Sequence, residues 1–94
     1  MKIVLAPSFV HDLNAVKEYL EDKTEVSFMN IKSEVFNKIK RLLTFPESGT
    51  KMTNKDAYRI VDNKYNYKIY YKICTDLDEI HITRLIHSKR NLKI

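Results

Sequence analysis

The chain has 94 residues, of which 44% are hydrophobic and 31% are charged, and this composition excludes an intrinsically disordered protein. Residues 1–94 are expected to form a single domain with one modest core. The formal net charge is +5. This charge fits a small domain that binds an acidic partner, although a lysine-rich surface without a partner explains it equally well.

The first half of the chain predicts one short strand and two amphipathic helices. Residues 2–6 form an apolar run that Pro7 stops, and the hydroxyl of Ser8 can cap a following helix. The stripe of this helix consists of Phe9, Leu13, Val16 and Leu20. A second helix is predicted over residues 27–43, with a stripe of Ile31, Val35, Ile39 and Leu42, widened by Phe28, Phe36 and Leu43. The two helices form a hairpin whose apolar side needs a sheet to cover.

The second half of the chain predicts three strands. Pro46 cannot continue the second helix, and Gly49 offers a position that tolerates positive φ. Three runs between residues 58 and 90 then alternate apolar and polar side chains, with polar turns at residues 62–64 and 75–78. The element order predicts an α+β domain whose N-terminal helical hairpin packs on one face of a mostly antiparallel four-stranded sheet.

Alternation in the last run assigns its side chains to two faces. One face receives Ile80, Ile82, Arg84 and Ile86, and the other receives His81, Thr83, Leu85, His87 and Lys89. If the first face is the core, Arg84 must either pair with a buried acceptor or be displaced by a β-bulge. We expect a structural role for Arg84.

The charged residues include candidates for an RNA-cleaving site. RNA cleavage needs an acid, a base and phosphate-binding cations, and His87, Arg59, Lys89 and Arg90 are the candidates. A histidine that only fixes the end of the strand is an equally good interpretation of His87.

Three scattered histidines and the lone Cys74 show no metal-ligand spacing, so we expect no metal and no cofactor. The single cysteine and the absence of a long apolar run favour a cytoplasmic protein without a membrane partner.

Several short segments resemble the RelE/ParE superfamily of toxins from type II toxin–antitoxin systems. These segments are residues 6–13, residues 42–49 with the sequence LLTFPESG, residues 67–71 with YKIYY, and residues 82–90 with ITRLIHSKR. The FPESG and HSKR segments resemble the ParE branch. RelE-like nucleases have an arginine near the position of Asn63 and a late tyrosine, and this sequence has neither.

The resemblance implies a ParE-like toxin that binds DNA gyrase and is neutralised by an acidic antitoxin. It implies a target-binding surface made of Lys68, Lys72, His87, Lys89 and Arg90. It also implies an antitoxin-binding groove made of Phe9, Leu13, Val16, Leu20 and Phe36. Two alternatives remain open: a RelE-like endoribonuclease that cleaves mRNA on the ribosome, and a degenerate member of the family that acts only as a protein-binding module.

Overall fold

The structure is a computed structural model that describes residues 1–21, 27–53 and 57–88. The helices are α1 (Pro7–Leu20) and α2 (Phe28–Arg41). The strands of the described ranges are β1 (Lys2–Leu5), β2 (Thr50–Lys51), β3 (Ala57–Asp62), β4 (Tyr67–Cys74) and β5 (Glu79–His87). They form one sheet in the order β1-β5-β4-β3-β2, in which β1 runs parallel to β5 and the other neighbours are antiparallel.

This architecture confirms the predicted α+β fold and adds one strand to it. The added strand, β2, pairs Thr50 with Arg59 and Lys51 with Tyr58. Two residues are too few to show an alternating pattern, and so no local pattern predicts this strand. The sheet of the described residues therefore has five strands where four were predicted.

The helix starts differ from one prediction and agree with the other. Pro7 is the first residue of α1, where its missing N–H removes no helical hydrogen bond, and Ala6 is the N-cap. Ser8 therefore lies inside the first turn, and its hydroxyl donates to the Thr83 carbonyl at 2.6 Å, so the predicted cap is wrong. Ser27 does cap α2, since its Oγ accepts from the Met29 N–H at 3.2 Å.

The core lies between the two helices and one face of the sheet. Both predicted helical stripes are buried there, together with alternate residues of the strands. The buried apolar side chains that the sheet contributes are Tyr58, Tyr67, Ile69, Tyr71, Ile73, Ile80, Ile82 and Leu85. Neither α1 nor α2 has the length and apolar content that a helix needs to cross a membrane.

A β-bulge at Thr83 shifts the alternation of β5. Tyr71 pairs with Ile82 and Tyr70 pairs with Arg84, which leaves Thr83 as the extra residue. As a result Ile82 and Leu85, three residues apart, are both buried, whereas Arg84 is exposed. The face assignment made from the sequence holds up to Ile82 and is wrong after it.

The N-terminal part of α1 closes the edge of β5 beyond the end of β1. The Ala6 N–H donates to the Ile82 carbonyl at 2.9 Å. Further along, Asp12 Oδ2 accepts from the Leu85 N–H at 2.9 Å and from Arg84 Nε at 2.7 Å. The Ala6 N–H and the Asp12 carboxylate thus satisfy backbone groups of β5 that β1 is too short to reach. The same contacts attach the helix to the sheet.

Candidate partner-binding surfaces

The sheet has an outer face, which is the face opposite the helices. Its side chains alternate with the core side chains and line up in rows across the strands. The central row is Thr50, Arg59, Tyr70 and Arg84. A second row is Val61, Lys68 and Ile86, and a third is Ala57, Lys72, His81 and Val4.

The outer face is positively charged. It carries Arg59, Lys68, Lys72 and Arg84 from the three long strands. Among the described residues of this face the carboxylate is Glu79, whose Oε1 lies 2.8 Å from His81 Nε2. Arg59, Lys68 and Lys72 form no ion pair within the described residues, and such cations on neighbouring strands create a positive potential that attracts an acidic macromolecule.

The two arginines of the central row have different surroundings. Arg84 makes a two-point contact with Asp12, from Nε to Oδ2 at 2.7 Å and from Nη2 to Oδ1 at 3.2 Å. These hydrogen bonds, together with the carboxylate charge, raise the pKa of Arg84, so it remains protonated. Arg59 has a buried Nε without a hydrogen-bond partner in the described ranges. Arg84 is therefore the structural residue that was predicted, and Arg59 has a free donor.

The bulge separates the predicted target-binding residues. Lys68 and Lys72 share the outer face, as expected. His87 pairs with Tyr67 on the helix-facing side, where the two rings meet edge to face with centroids 4.9 Å apart. Lys89 and Arg90 lie outside the described residues.

The nuclease candidates are separated in the same way. Arg59 lies on the outer face, whereas His87 lies on the side that faces the helices. Asn63 lies near the position at which RelE-like nucleases have an arginine. It is exposed in the turn between β3 and β4. The described residues thus do not bring the predicted acid–base group next to the predicted phosphate-binding arginine.

The predicted antitoxin groove needs a correction. Phe9, Leu13, Val16 and Leu20 are buried between α1 and the sheet, and Phe36 is half-buried against Phe9 with ring centroids 6.1 Å apart. An amphipathic stripe is equally a signature of a core-facing helix, and here the chain's own sheet covers it. These side chains therefore belong to the core of the chain and do not form an open groove.

Two arrangements are not predictable from the sequence, because they join distant parts of the chain. One is the contact of Asp12 with Arg84 and Leu85. The other is the Tyr71 hydroxyl, which donates to the Pro46 carbonyl at 2.8 Å and accepts from the Gly49 N–H at 3.1 Å. No local pattern predicts such pairs. The only sequence signals were the polar Asp12 beside a helix stripe and the glycine after a proline.

The family model described as "ParE toxin of type II toxin-antitoxin system, parDE" matches residues 3–92. The chain belongs to the ParE toxin family. It is thus a toxin of a type II toxin–antitoxin system within the RelE/ParE superfamily. No curated protein matches the sequence of this ParE-family toxin.

Solved structures share the fold of this ParE-family toxin at low sequence identity. A chain of the chromosomal ParDE toxin–antitoxin system from P. aeruginosa superposes with a TM-score of 0.76 at 13% identity, covering 95% of this chain and 97% of that one. The isolated E. coli RelE toxin gives a TM-score of 0.72 at 11% identity, with coverage of 97% and 87%. The E. coli RelBE toxin–antitoxin complex gives 0.71 at 11% identity, with coverage of 95% and 98%. The shared fold extends to both branches of the superfamily.

Proposed function

We propose that this ParE-family toxin arrests growth in the cytoplasm by binding DNA gyrase through the outer face, and that an acidic cognate antitoxin neutralises it. The observation that carries the proposal is the concentration of cations on the one sheet face that the helices leave uncovered. Positive charge on the outer face favours fast association with an acidic macromolecule, and inhibition by binding requires no chemical step.

Arg59 gives this surface a second property. Its buried Nε has no acceptor among the described residues, and a buried donor without a partner costs free energy. Because that Nε is buried, a carboxylate or phosphate of the partner would recover the cost only if the Arg59 side chain turned outward on binding. Tyr70, half-buried in the same row, adds apolar contact area beside the charge.

The same geometry supports binding over RNA cleavage. General acid–base catalysis needs the proton-transferring group and the phosphate-binding cation within hydrogen-bond reach of one substrate. His87 and Arg59 lie on opposite faces of the sheet, which argues against a shared site for these two residues.

The test is DNA supercoiling by purified gyrase in the presence of the purified chain. We expect inhibition by the wild type. The double variant Lys68→Gln/Lys72→Gln should need about tenfold more protein for the same effect, a difference of about 1.4 kcal/mol. Lys32→Gln, which removes an exposed charge from α2, is the matched control and should inhibit like the wild type.

The second candidate is the RelE-like endoribonuclease. The central row favours it, because Tyr70 lies between Arg59 and Arg84 and an aromatic ring beside cations can stack on a base of a single strand. Unimpaired supercoiling together with cleavage of mRNA on ribosomes, lost in Arg59→Ala, would establish this function in place of gyrase inhibition. A chain that is harmless when expressed without its antitoxin would leave only the binding module.

A further inference from the structure

The segment between α2 and β2 forms an apolar ledge, which we define as Leu43, Thr44, Phe45, Pro46, Glu47 and Ser48. Phe45 is 59% exposed and Leu43 is 46% exposed. Residues Thr44–Ser48 line an open concavity of about 440 Å³ beside them. Single exposed apolar residues are common on protein surfaces, but an aromatic and a leucine next to a concavity form a more specific feature.

The ledge is held in place by the core. The Tyr71 hydroxyl bonds both to Pro46 and to Gly49, and the Tyr71 ring stacks on Tyr58 with centroids 5.3 Å apart. Burial raises the pKa of Tyr71, so its hydroxyl keeps the proton that it donates. Because the ledge is already ordered, a partner that binds it loses little conformational entropy on the toxin side.

Three cations adjoin the ledge along the chain. Lys40 and Arg41 lie in the last turn of α2, immediately before it, and Lys51 follows it in β2; all three are exposed. Within the described ranges none of these three forms an ion pair. Against them the ledge itself contributes one carboxylate, Glu47. An apolar surface with a basic rim fits a segment that carries a bulky apolar side chain between acidic residues.

We infer that the ledge is a docking site for an acidic segment of the cognate antitoxin, which places one bulky apolar side chain in the concavity against Phe45. The inference rests on the proposed neutralisation by an acidic antitoxin. It also replaces the groove expected from the sequence, whose residues are mostly buried in the core. A second copy of this chain is a poor occupant, because two basic rims on chains of net charge +5 repel each other.

The experiment compares antitoxin affinity between ledge variants and a matched control. The toxin is co-expressed with its cognate antitoxin, the complex is separated in denaturant, and the refolded toxins are titrated with the antitoxin by calorimetry. Phe45→Ser is the test variant. Leu77→Ser is the control, because Leu77 is 63% exposed but lies in the turn between β4 and β5. Thermal unfolding of each free toxin verifies that both variants fold.

Phe45→Ser should raise the dissociation constant at least tenfold, and Leu77→Ser should leave it within about twofold of the wild type. Lys40→Gln/Arg41→Gln should weaken binding in 50 mM salt more than in 500 mM salt. Equal affinity of Phe45→Ser and the wild type for the antitoxin would overturn the inference and leave the proposed function intact. Failure of the wild type to bind its antitoxin at all would overturn the neutralisation proposal and the ledge with it. Loss of gyrase inhibition in Phe45→Ser with unchanged antitoxin affinity would assign the ledge to the target instead.

Discussion

Asp62, the last residue of β3, has an exposed fraction of 0%, and its two carboxylate oxygens have different surroundings. Its Oδ2 accepts from the Tyr65 N–H at 2.9 Å, whereas its buried Oδ1 has no hydrogen-bond partner among the described residues. Glu34 of α2 faces it. A hydrogen bond to Asp62, burial and the charge of Asp62 raise the pKa of Glu34, against the opposing charges of Lys38 and Lys64. A protonated Glu34 can therefore donate to Asp62 and join α2 to the end of β3.

This carboxyl pair predicts a pH dependence of stability. The pKa of Glu34 is higher in the folded chain than its ordinary value of 4.5, so the native state binds more protons than the unfolded state above that value. The stabilisation is complete below about pH 4.5 and is lost as the pH rises through the folded-state pKa. Glu34→Gln keeps an N–H donor at every pH, and its free energy of unfolding should fall less between pH 4.5 and pH 8 than that of the wild type. Urea unfolding across this range measures the difference.

Glu18→Gln, on the exposed surface of α1, is the control for removing one carboxylate. Its stability curve should run parallel to that of the wild type. If the Glu34→Gln curve is also parallel, the two carboxyl groups do not share a proton.

A side chain at Gly49 should destabilise the fold by steric overlap. A Cβ at this position would lie 2.8 Å from the Arg59 carbonyl oxygen and 2.8 Å from the Tyr71 hydroxyl. The carbonyl belongs to the backbone of β3, so it cannot rotate away as a flexible side chain would. Gly49→Ala should therefore lower the free energy of unfolding by about 1–3 kcal/mol, as overpacking of a core does. Chemical denaturation measures this, and Lys32→Ala on the exposed surface of α2 should change stability by less than about 0.5 kcal/mol.

At the scale of elements, Asp12 adds a polar attachment between α1 and β5 to the apolar packing of the helix on the sheet. Its carboxylate accepts three hydrogen bonds, from Arg84 Nε, Arg84 Nη2 and the Leu85 N–H. Asp12→Ala leaves the Leu85 N–H without its acceptor at the strand edge and should cost about 1–3 kcal/mol of folding free energy. Asp12→Asn retains one acceptor oxygen and should cost less. Thermal or urea unfolding that ranks these two variants equally would show that the Leu85 N–H contributes little.

The elements themselves were largely predictable from the sequence. Helical stripes and strand alternation are local signals, and they placed α1, α2, β4 and the first half of β5 on the correct faces. The stripe could not reveal whether the chain's own sheet or a partner covers it, which is why Phe9 and Leu13 were assigned to the antitoxin. The bulge was foreseen only as one of two explanations for Arg84, because its position depends on the register between β4 and β5.

At the scale of the whole molecule, two groups of described cations form separate basic surfaces: Arg59, Lys68, Lys72 and Arg84 on the outer face, and Lys40, Arg41 and Lys51 next to the ledge. Neither surface could be assembled from sequence, since Arg59, Lys68 and Arg84 meet only when three strands pair. Composition indicates the net charge of +5, but not that Asp62 is buried and Asp12 pairs with Arg84, which leaves Arg59, Lys68 and Lys72 without an ion pair among the described residues.

This charge distribution predicts that association with both proposed partners depends on salt. Raising the salt concentration from 50 mM to 500 mM shortens the screening length from more than 10 Å to about 4 Å. The association rate with gyrase or antitoxin should fall at least tenfold, while the dissociation rate should change less. Stopped-flow or surface-based kinetics measures both rates. A salt-independent association rate would mean that apolar contacts alone guide the encounter.

The extra residue at Thr83 has a consequence for comparing this toxin with its relatives. A strand that gains one residue exchanges its two faces from that point onward, so a position-by-position alignment that ignores the bulge assigns every later side chain to the wrong surface. Equivalence beyond Thr83 must be read from strand pairing instead. Deleting Thr83 would remove the bulge and restore strict alternation, with Ile82 still opposite Tyr71 and Arg84 still opposite Tyr70, so the later side chains of β5 would keep their faces.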